Sequence, residues 1–193
     1  MALRKELGIS ENTFILFYHG SLGTWYLGEK MLDFYENLLK TKPDSVFLLV
    51  VNDFPVSLQK SVQQRGLGDK IILRQKLPRQ RIPLYLSLAN LCIMFIKPVF
   101  SKTASSPIKY AESLAMNKPV LANIGVGDMA ELADNDWGFL VKQLTQSEYQ
   151  DAIRALSAFN NRQIRRQSKS SYLLSSGVEK YDDVYAKTCK VLL

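Results

Sequence analysis

The chain has 193 residues, 47% of them hydrophobic and 22% charged, and a formal net charge of +7, the make-up of one soluble globular domain with a sizeable core. No apolar run reaches the length of a transmembrane helix, and the charged start Met1–Leu7 has no apolar signal core. The two distant cysteines, Cys92 and Cys189, and the single histidine, His19, exclude a disulfide framework and a zinc cluster, while the positive charge favours an anionic partner: a nucleotide, an acidic lipid surface or nucleic acid.

In chain order, Thr13–His19 predicts a β strand ending at Gly20. The loop Gly20–Gly28 follows, with three glycines and the aromatic pair Trp25 and Tyr26 at its tip. Glycine lets a backbone approach an anion with its N–H groups, so Gly20, Ser21, Leu22 and Gly23 are a candidate phosphate cradle. The same loop also reads as a plain strand-to-helix turn, and it matches neither the Walker nor the GxGxxG pattern. Trp25 and Tyr26 either cover a substrate, cap the sheet edge or pack on a partner. His19, before the loop, is either structural or a hydrogen-bond donor to ligand.

Glu29–Lys40 has helical spacing, with Met31, Leu32, Tyr35, Leu38 and Leu39 on its apolar side. Ser45–Val51 is a continuous apolar strand, Pro55–Gly66 a helix stopped by Gly66 and Gly68, and Lys70–Leu73 another strand. The basic stretch Lys76–Arg81 either borders a nucleotide base or is a solvated loop, and a helix is predicted over Arg79–Ala89. Leu91–Ile96 is a strand in which Cys92 is a small core residue, in keeping with a reducing cytoplasm.

Ser105–Ala122 is the most informative stretch. Ser106 is a natural N-cap, and Pro107 fits the first helical position. The free N–H groups and positive dipole end of such a helix can hold a phosphate. Lys109 falls in the first turn and Glu112 three residues later on the same face. A cation beside phosphate and a carboxylate slightly deeper suit a nucleoside diphosphate, since the carboxylate accepts hydrogen bonds from ribose hydroxyls. The blander reading is a surface i,i+3 pair of about 0.3 kcal/mol.

Pro119–Ala122 is a strand and Ile124–Asp128 a glycine turn, where Asp128 either caps a following helix with Glu131 as its partner or touches ligand. Gly138–Val141 is a short last strand. From Ser147 the chain reads as helical to its end, with a break near Ser175, Ser176 and Gly177. Arg154, Arg162, Arg165, Arg166, Lys169 and Lys180 make this part basic, either as a solvated face or as a membrane-surface patch. Strands alternating with helices imply an α/β fold with a doubly wound parallel sheet covered by helices on both faces. Ligands in such folds bind beyond the carboxyl ends of the strands. Three loops fall there: Gly20–Gly28, Phe100–Ser106 and Asn123–Asp128.

The runs Tyr85–Asn90 and Ser105–Val120, with Gly127, Asp128, Glu131 and Trp137–Val141, resemble the group 1 family of retaining glycosyltransferases over Phe14–Val141. That resemblance implies the GT-B arrangement of two Rossmann-like halves facing across a cleft, with residues 1–193 as the carboxy-terminal, donor-binding half. It implies a nucleoside-diphosphate sugar as donor, no separate cofactor, no metal, and hexosyl transfer with retention to an unidentified acceptor, as in polysaccharide biosynthesis. Glu112 matches the second of two family glutamates and is expected to hold the ribose. The first falls at Ala104, with Ser105 and Ser106 as local substitutes near phosphate or sugar. Ser21 and Tyr26 stand where many members carry an arginine and a lysine, leaving Lys109 to supply the phosphate charge. His19, Trp25, Lys76 and Asp128 complete the candidates for sugar or base contact.

An acceptor-binding half is expected before residue 1, with Met1–Ser10 as the tail of a linker and the helices of residues 147–193 packing back toward that half. The chain alone is expected to be inactive or weak, because cleft closure assembles the site. The expected location is cytoplasmic, with peripheral contact at the inner face of the membrane through the basic helices. No nucleic-acid motif accompanies the charge, so no nucleic-acid partner is expected. Two other readings compete: a nucleotide-sugar-binding or scaffold subunit without transfer activity, and a GT-B-like nucleotide-sugar epimerase.

Overall fold

The computed structural model describes residues 2–130, 135–159, 164, 166–168 and 174–191. Six strands form one sheet: β1 (Ile15–Gly20), β2 (Val46–Val51), β3 (Ile71–Gln75), β4 (Leu91–Met94), β5 (Val120–Asn123) and β6 (Gly138–Val141). All pair in parallel, in the order β3-β2-β1-β4-β5-β6. The order reverses between β1 and β4, and a doubly wound sheet opens its ligand crevice at that reversal, beyond the carboxyl ends.

The described helices are α1 (Ala2–Glu6), α2 (Gly28–Thr41), α3 (Val56–Gln64), α4 (Ile82–Leu86), α5 (Ile108–Ala115), α6 (Gln146–Leu156) and α7 (Leu174–Val191). Alternation along β1 divides the core. Ile15 and Phe17 join Leu3, Tyr85, Tyr110 and Leu114 from α1, α4 and α5. Leu16 and Tyr18 join Phe34, Leu58 and Tyr149 from α2, α3 and α6. Residues facing opposite sides of one strand are therefore both buried, as a sheet with two covered faces requires. On α2 the buried Met31, Phe34, Tyr35 and Leu38 follow helical spacing. Arg65, after α3, reaches Glu29, Asp33 and Glu36 of α2 at 3.0, 2.8 and 2.6 Å, which fixes α3 against α2.

Several elements differ from the sequence reading, each for a contact that adjacency in sequence does not show. Of the expected linker Met1–Ser10, the described residues 2–10 fold onto the domain: α1 forms there, and Leu3, Leu7 and Ile9 are buried in the core. β4 stops at Met94 because the next residues turn to the glycine loop; the Leu27 N–H donates to the Phe95 carbonyl at 2.9 Å, and Tyr26 bridges to Ile96. The helix over Arg79–Ala89 is a 3-10 turn, Arg79–Arg81, followed by the short α4. Ser106 does not cap α5. Pro107 is the N-cap, extended at φ −70° and ψ 121°, and the Ser106 hydroxyl donates to Asp128 at 2.7 Å. Asp128 in turn lies inside the 3-10 turn Gly127–Ala130; its expected partner Glu131 is outside the described residues.

No break occurs at Ser175–Gly177, because α7 runs through them; one helical glycine costs only about 1 kcal/mol against alanine. α6 packs on its own domain, where the Tyr149 ring stacks on Phe95 at 5.9 Å and meets Phe34 edge-on at 5.6 Å. Of the basic carboxy-terminal residues, Arg154 pairs with Asp151 and Arg166 is exposed. Arg162, Arg165 and Lys169 lie outside the described residues.

Candidate functional site

A cleft of about 500 Å³ opens where the carboxyl ends of β1 and β2 meet the start of α5. It gathers His19, Gly20, Ser21, Ser106, Lys109 and Glu112 from the sequence candidates, with Tyr26 from the loop tip and Leu77 and Arg79 from the basic stretch Lys76–Arg81, and adds Asn52. Leu22, Gly23, Trp25, Lys76, Ser105 and Asp128 stand outside its lining. Trp25 is 40% exposed, with the Lys102 ammonium 5.2 Å from its ring centroid. Lys76 holds a left-handed φ of 53° at the turn that delivers Leu77 and Arg79 to the cleft.

Lys109 and Glu112 leave α5 three residues apart, yet each turns to a different partner. The Lys109 side chain crosses the carboxyl edge of the sheet and lies directly over Gly20. A Cβ at Gly20 would stand 2.7 Å from Lys109 Nζ, and the φ of +111° there favours glycine. Nζ rests 3.4 Å from the Tyr26 ring centroid and 4.7 Å from that of Tyr18, and donates to the Tyr18 hydroxyl at 3.1 Å. Burial lowers the Lys109 pKa to about 7, with the Glu112 carboxylate pulling the other way.

Glu112 accepts from Arg79 Nη2 at 2.7 Å through Oε1, and its Oε2 faces His19 Nε2 at 3.3 Å. Burial foremost, then the charges of Lys109 and Arg79, lower the His19 pKa to about 4. His19 is therefore neutral near pH 7, and its contact with Glu112 is no ion pair. The buried Nε2 also lacks an aligned hydrogen-bond partner, a rare state for a buried polar atom.

The other two loops are tied to this cleft by backbone contacts. Gly127, at φ +41°, sits against the Ser105 carbonyl with no room for a Cβ, so the glycine turn abuts the start of α5. The buried Asn123 accepts from the Ile96 N–H at 2.8 Å and donates to the Ile96 carbonyl at 2.9 Å, which fixes the end of β4 to the end of β5. The sequence reading misses Tyr18 and Asn52, and holds Arg79 only within the basic stretch Lys76–Arg81. Tyr18 reads as a strand residue, and Arg79 as one of several cations in a loop. Asn52 carries only its position just after an apolar strand as a signal.

Among the described residues, no group of three or more histidine, cysteine, aspartate or glutamate side chains is placed to hold a metal ion, and no helix is long and apolar enough to cross a membrane. What the arrangement offers is a buried amine, free backbone N–H groups at a helix start and a glycine loop, with a carboxylate one turn deeper. This set can hold a diphosphate and a diol side by side.

The family model described as "Glycosyl transferases group 1" matches residues 2–171, a wider span than the resemblance at Phe14–Val141. No curated protein matches the chain. Among solved structures, Anabaena HepE in complex with UDP and glucose aligns with a TM-score of 0.73 and 18% identity, over 96% of this chain and 51% of that one. WaaG, a glycosyltransferase involved in lipopolysaccharide biosynthesis, aligns at 0.70 and 18% identity, over 95% and 50%. The C-terminal domain of LpcC, a glycosyl transferase group 1 family protein from Francisella tularensis, aligns at 0.65 and 16% identity, over 88% and 91%. The TM-scores show likeness of fold, and at these identities fold alone. The chain spans about half the length of HepE and WaaG and nearly all of the LpcC domain.

Proposed function

This chain belongs to the group 1 glycosyl transferase family, and we propose that it is the donor-binding half of a retaining GT-B enzyme, with a nucleoside-diphosphate sugar seated at the start of α5. One observation carries the reading: Lys109 and Glu112 project from a single helix start into one cleft, with the lysine amine against the backbone of Gly20. In this reading Lys109, the first N–H groups of α5, Ser106 and the backbone of Gly20 and Ser21 hold the pyrophosphate, and Glu112 accepts hydrogen bonds from the ribose hydroxyls. The base lies toward Leu77 and Arg79. When the sugar–phosphate bond breaks, the negative charge that develops on the leaving diphosphate meets donors already in place, which stabilises the transition state. No cofactor or metal enters this scheme. The likeness to HepE, which is in complex with UDP and glucose, supports a nucleotide of this type.

The acceptor comes from a second, amino-terminal half in this proposal, since the chain spans about half of the full-length neighbours. α7 offers that half a surface: Val178, Tyr181, Val184 and Tyr185 lie on one side of the helix and are 49–69% exposed. Peripheral contact with an acidic membrane, on the cytoplasmic side, rests on charge alone. A second reading, donor binding without transfer, is favoured by Ala104 at the place of the first family glutamate.

Calorimetry with UDP and GDP, each as the ribo and the 2′-deoxy form, tests the site. The wild type is expected to bind one diphosphate and to prefer its ribo form, and Glu112→Ala is expected to lose that preference while remaining folded. A ribo preference that survives in Glu112→Ala removes Glu112 from the ribose. Release of nucleotide with and without an added acceptor then separates transfer from binding alone.

A further inference from the structure

We propose that Tyr18 is a positioning residue for the diphosphate: its hydroxyl ties the Lys109 amine to the Ser21 carbonyl, making lysine and glycine loop one preorganised anion cradle. The inference rests on the placement of the diphosphate at Lys109 proposed above.

Tyr18 and Lys109 belong to opposite layers. The Tyr18 ring packs in the cluster beneath α2, α3 and α6, whereas α5 covers the other face of the sheet. The Lys109 side chain passes over the carboxyl edge of β1 to meet the hydroxyl at 3.1 Å, across 91 positions of sequence. A phenol has one proton to give. Tyr18 gives it to the Ser21 carbonyl, which leaves its lone pairs for Lys109. The ring is 1% exposed, and burial holds the hydroxyl well above the ordinary tyrosine range, so the proton is present at any working pH.

The other groups around the amine leave the tether its own role. Tyr26 offers a ring face at 3.4 Å, which attracts a cation without fixing a direction. Glu112 acts on Lys109 through charge, being hydrogen-bonded to Arg79. His19 is neutral near pH 7 and faces Glu112. Tyr18 is thus the hydrogen-bonding link between Lys109 and the glycine loop. A lysine and a loop held in place before the ligand arrives lose less freedom on binding, and affinity for the diphosphate gains by that difference.

The test compares Tyr18→Phe, Lys109→Ala and wild type against whichever of UDP or GDP binds, its monophosphate and its nucleoside, by calorimetry, with melting temperature followed in parallel. Tyr18→Phe is expected to weaken the diphosphate by roughly tenfold, the scale of one charge-assisted hydrogen bond, and to leave the nucleoside unchanged. A purely structural tyrosine would lower the melting temperature and leave the diphosphate-to-nucleoside ratio as it was, and that result overturns the inference. Should Tyr18→Phe fail to fold, Tyr18→Met fills the same apolar space with an unbranched side chain that has no hydroxyl; an unchanged ratio there also overturns it. A diphosphate preference retained by Lys109→Ala instead defeats the underlying placement, so the two failures are distinct.

Discussion

Lys109 is the residue on which the site's pH behaviour turns. Its pKa is lowered from 10.5 to about 7, chiefly by burial, so between those values the unfolded chain binds a proton that the folded chain does not. Stability therefore rises with pH through that window, and the destabilisation from the buried charge is fully present below about 7. Urea unfolding at a series of pH values is expected to show this rise in the wild type and to lose it in Lys109→Met. Identical pH profiles for the two proteins would contradict an amine whose burial outweighs its partners. His19 acts at the acid end: with its pKa near 4, stability falls as pH drops from the ordinary histidine value through that one. The sequence shows Lys109 and Glu112 as a pair on one helix face, because i,i+3 spacing is a local property. It does not show that they turn apart, since their partners Tyr18 and Arg79 are 91 and 33 positions away.

At the scale of elements, the apolar strands are readable because a sheet with two covered faces needs uninterrupted apolar runs, and Leu16, Leu48 and Leu121 are indeed fully buried. Helix ends are less readable. Ser106 looks like a cap until Asp128, 22 positions on, takes its hydroxyl. Asn123 shows the same limit from the other side: in sequence it only opens the loop Asn123–Asp128, yet its amide makes both hydrogen bonds to Ile96 and thereby sets the path from β4 toward α5. Asn123→Ala is expected to leave a buried N–H and carbonyl unpaired and to destabilise the fold by about 2–3 kcal/mol. Denaturant unfolding measures this, and a change within 0.5 kcal/mol, about the ordinary scale of a surface substitution, would mean that water or backbone replaces the amide.

For the whole molecule, the strand order β3-β2-β1-β4-β5-β6 sets β1 between β2 and β4, the cleft opens at the carboxyl ends of β1 and β2 against the start of α5, and the two core clusters hold α2 and α5 on opposite faces of the sheet. The doubly wound class was readable from the alternation of strands and helices, whereas the crossing of Lys109 over the sheet edge depends on how the two layers meet. That crossing is what joins the glycine loop to the start of α5. The most direct test is a crystal structure of the chain with a nucleoside-diphosphate sugar. The account predicts pyrophosphate oxygens within hydrogen-bond reach of Lys109 Nζ and the Gly20–Ser21 backbone, and ribose hydroxyls on Glu112 in place of Arg79. A donor bound away from the start of α5 would contradict it.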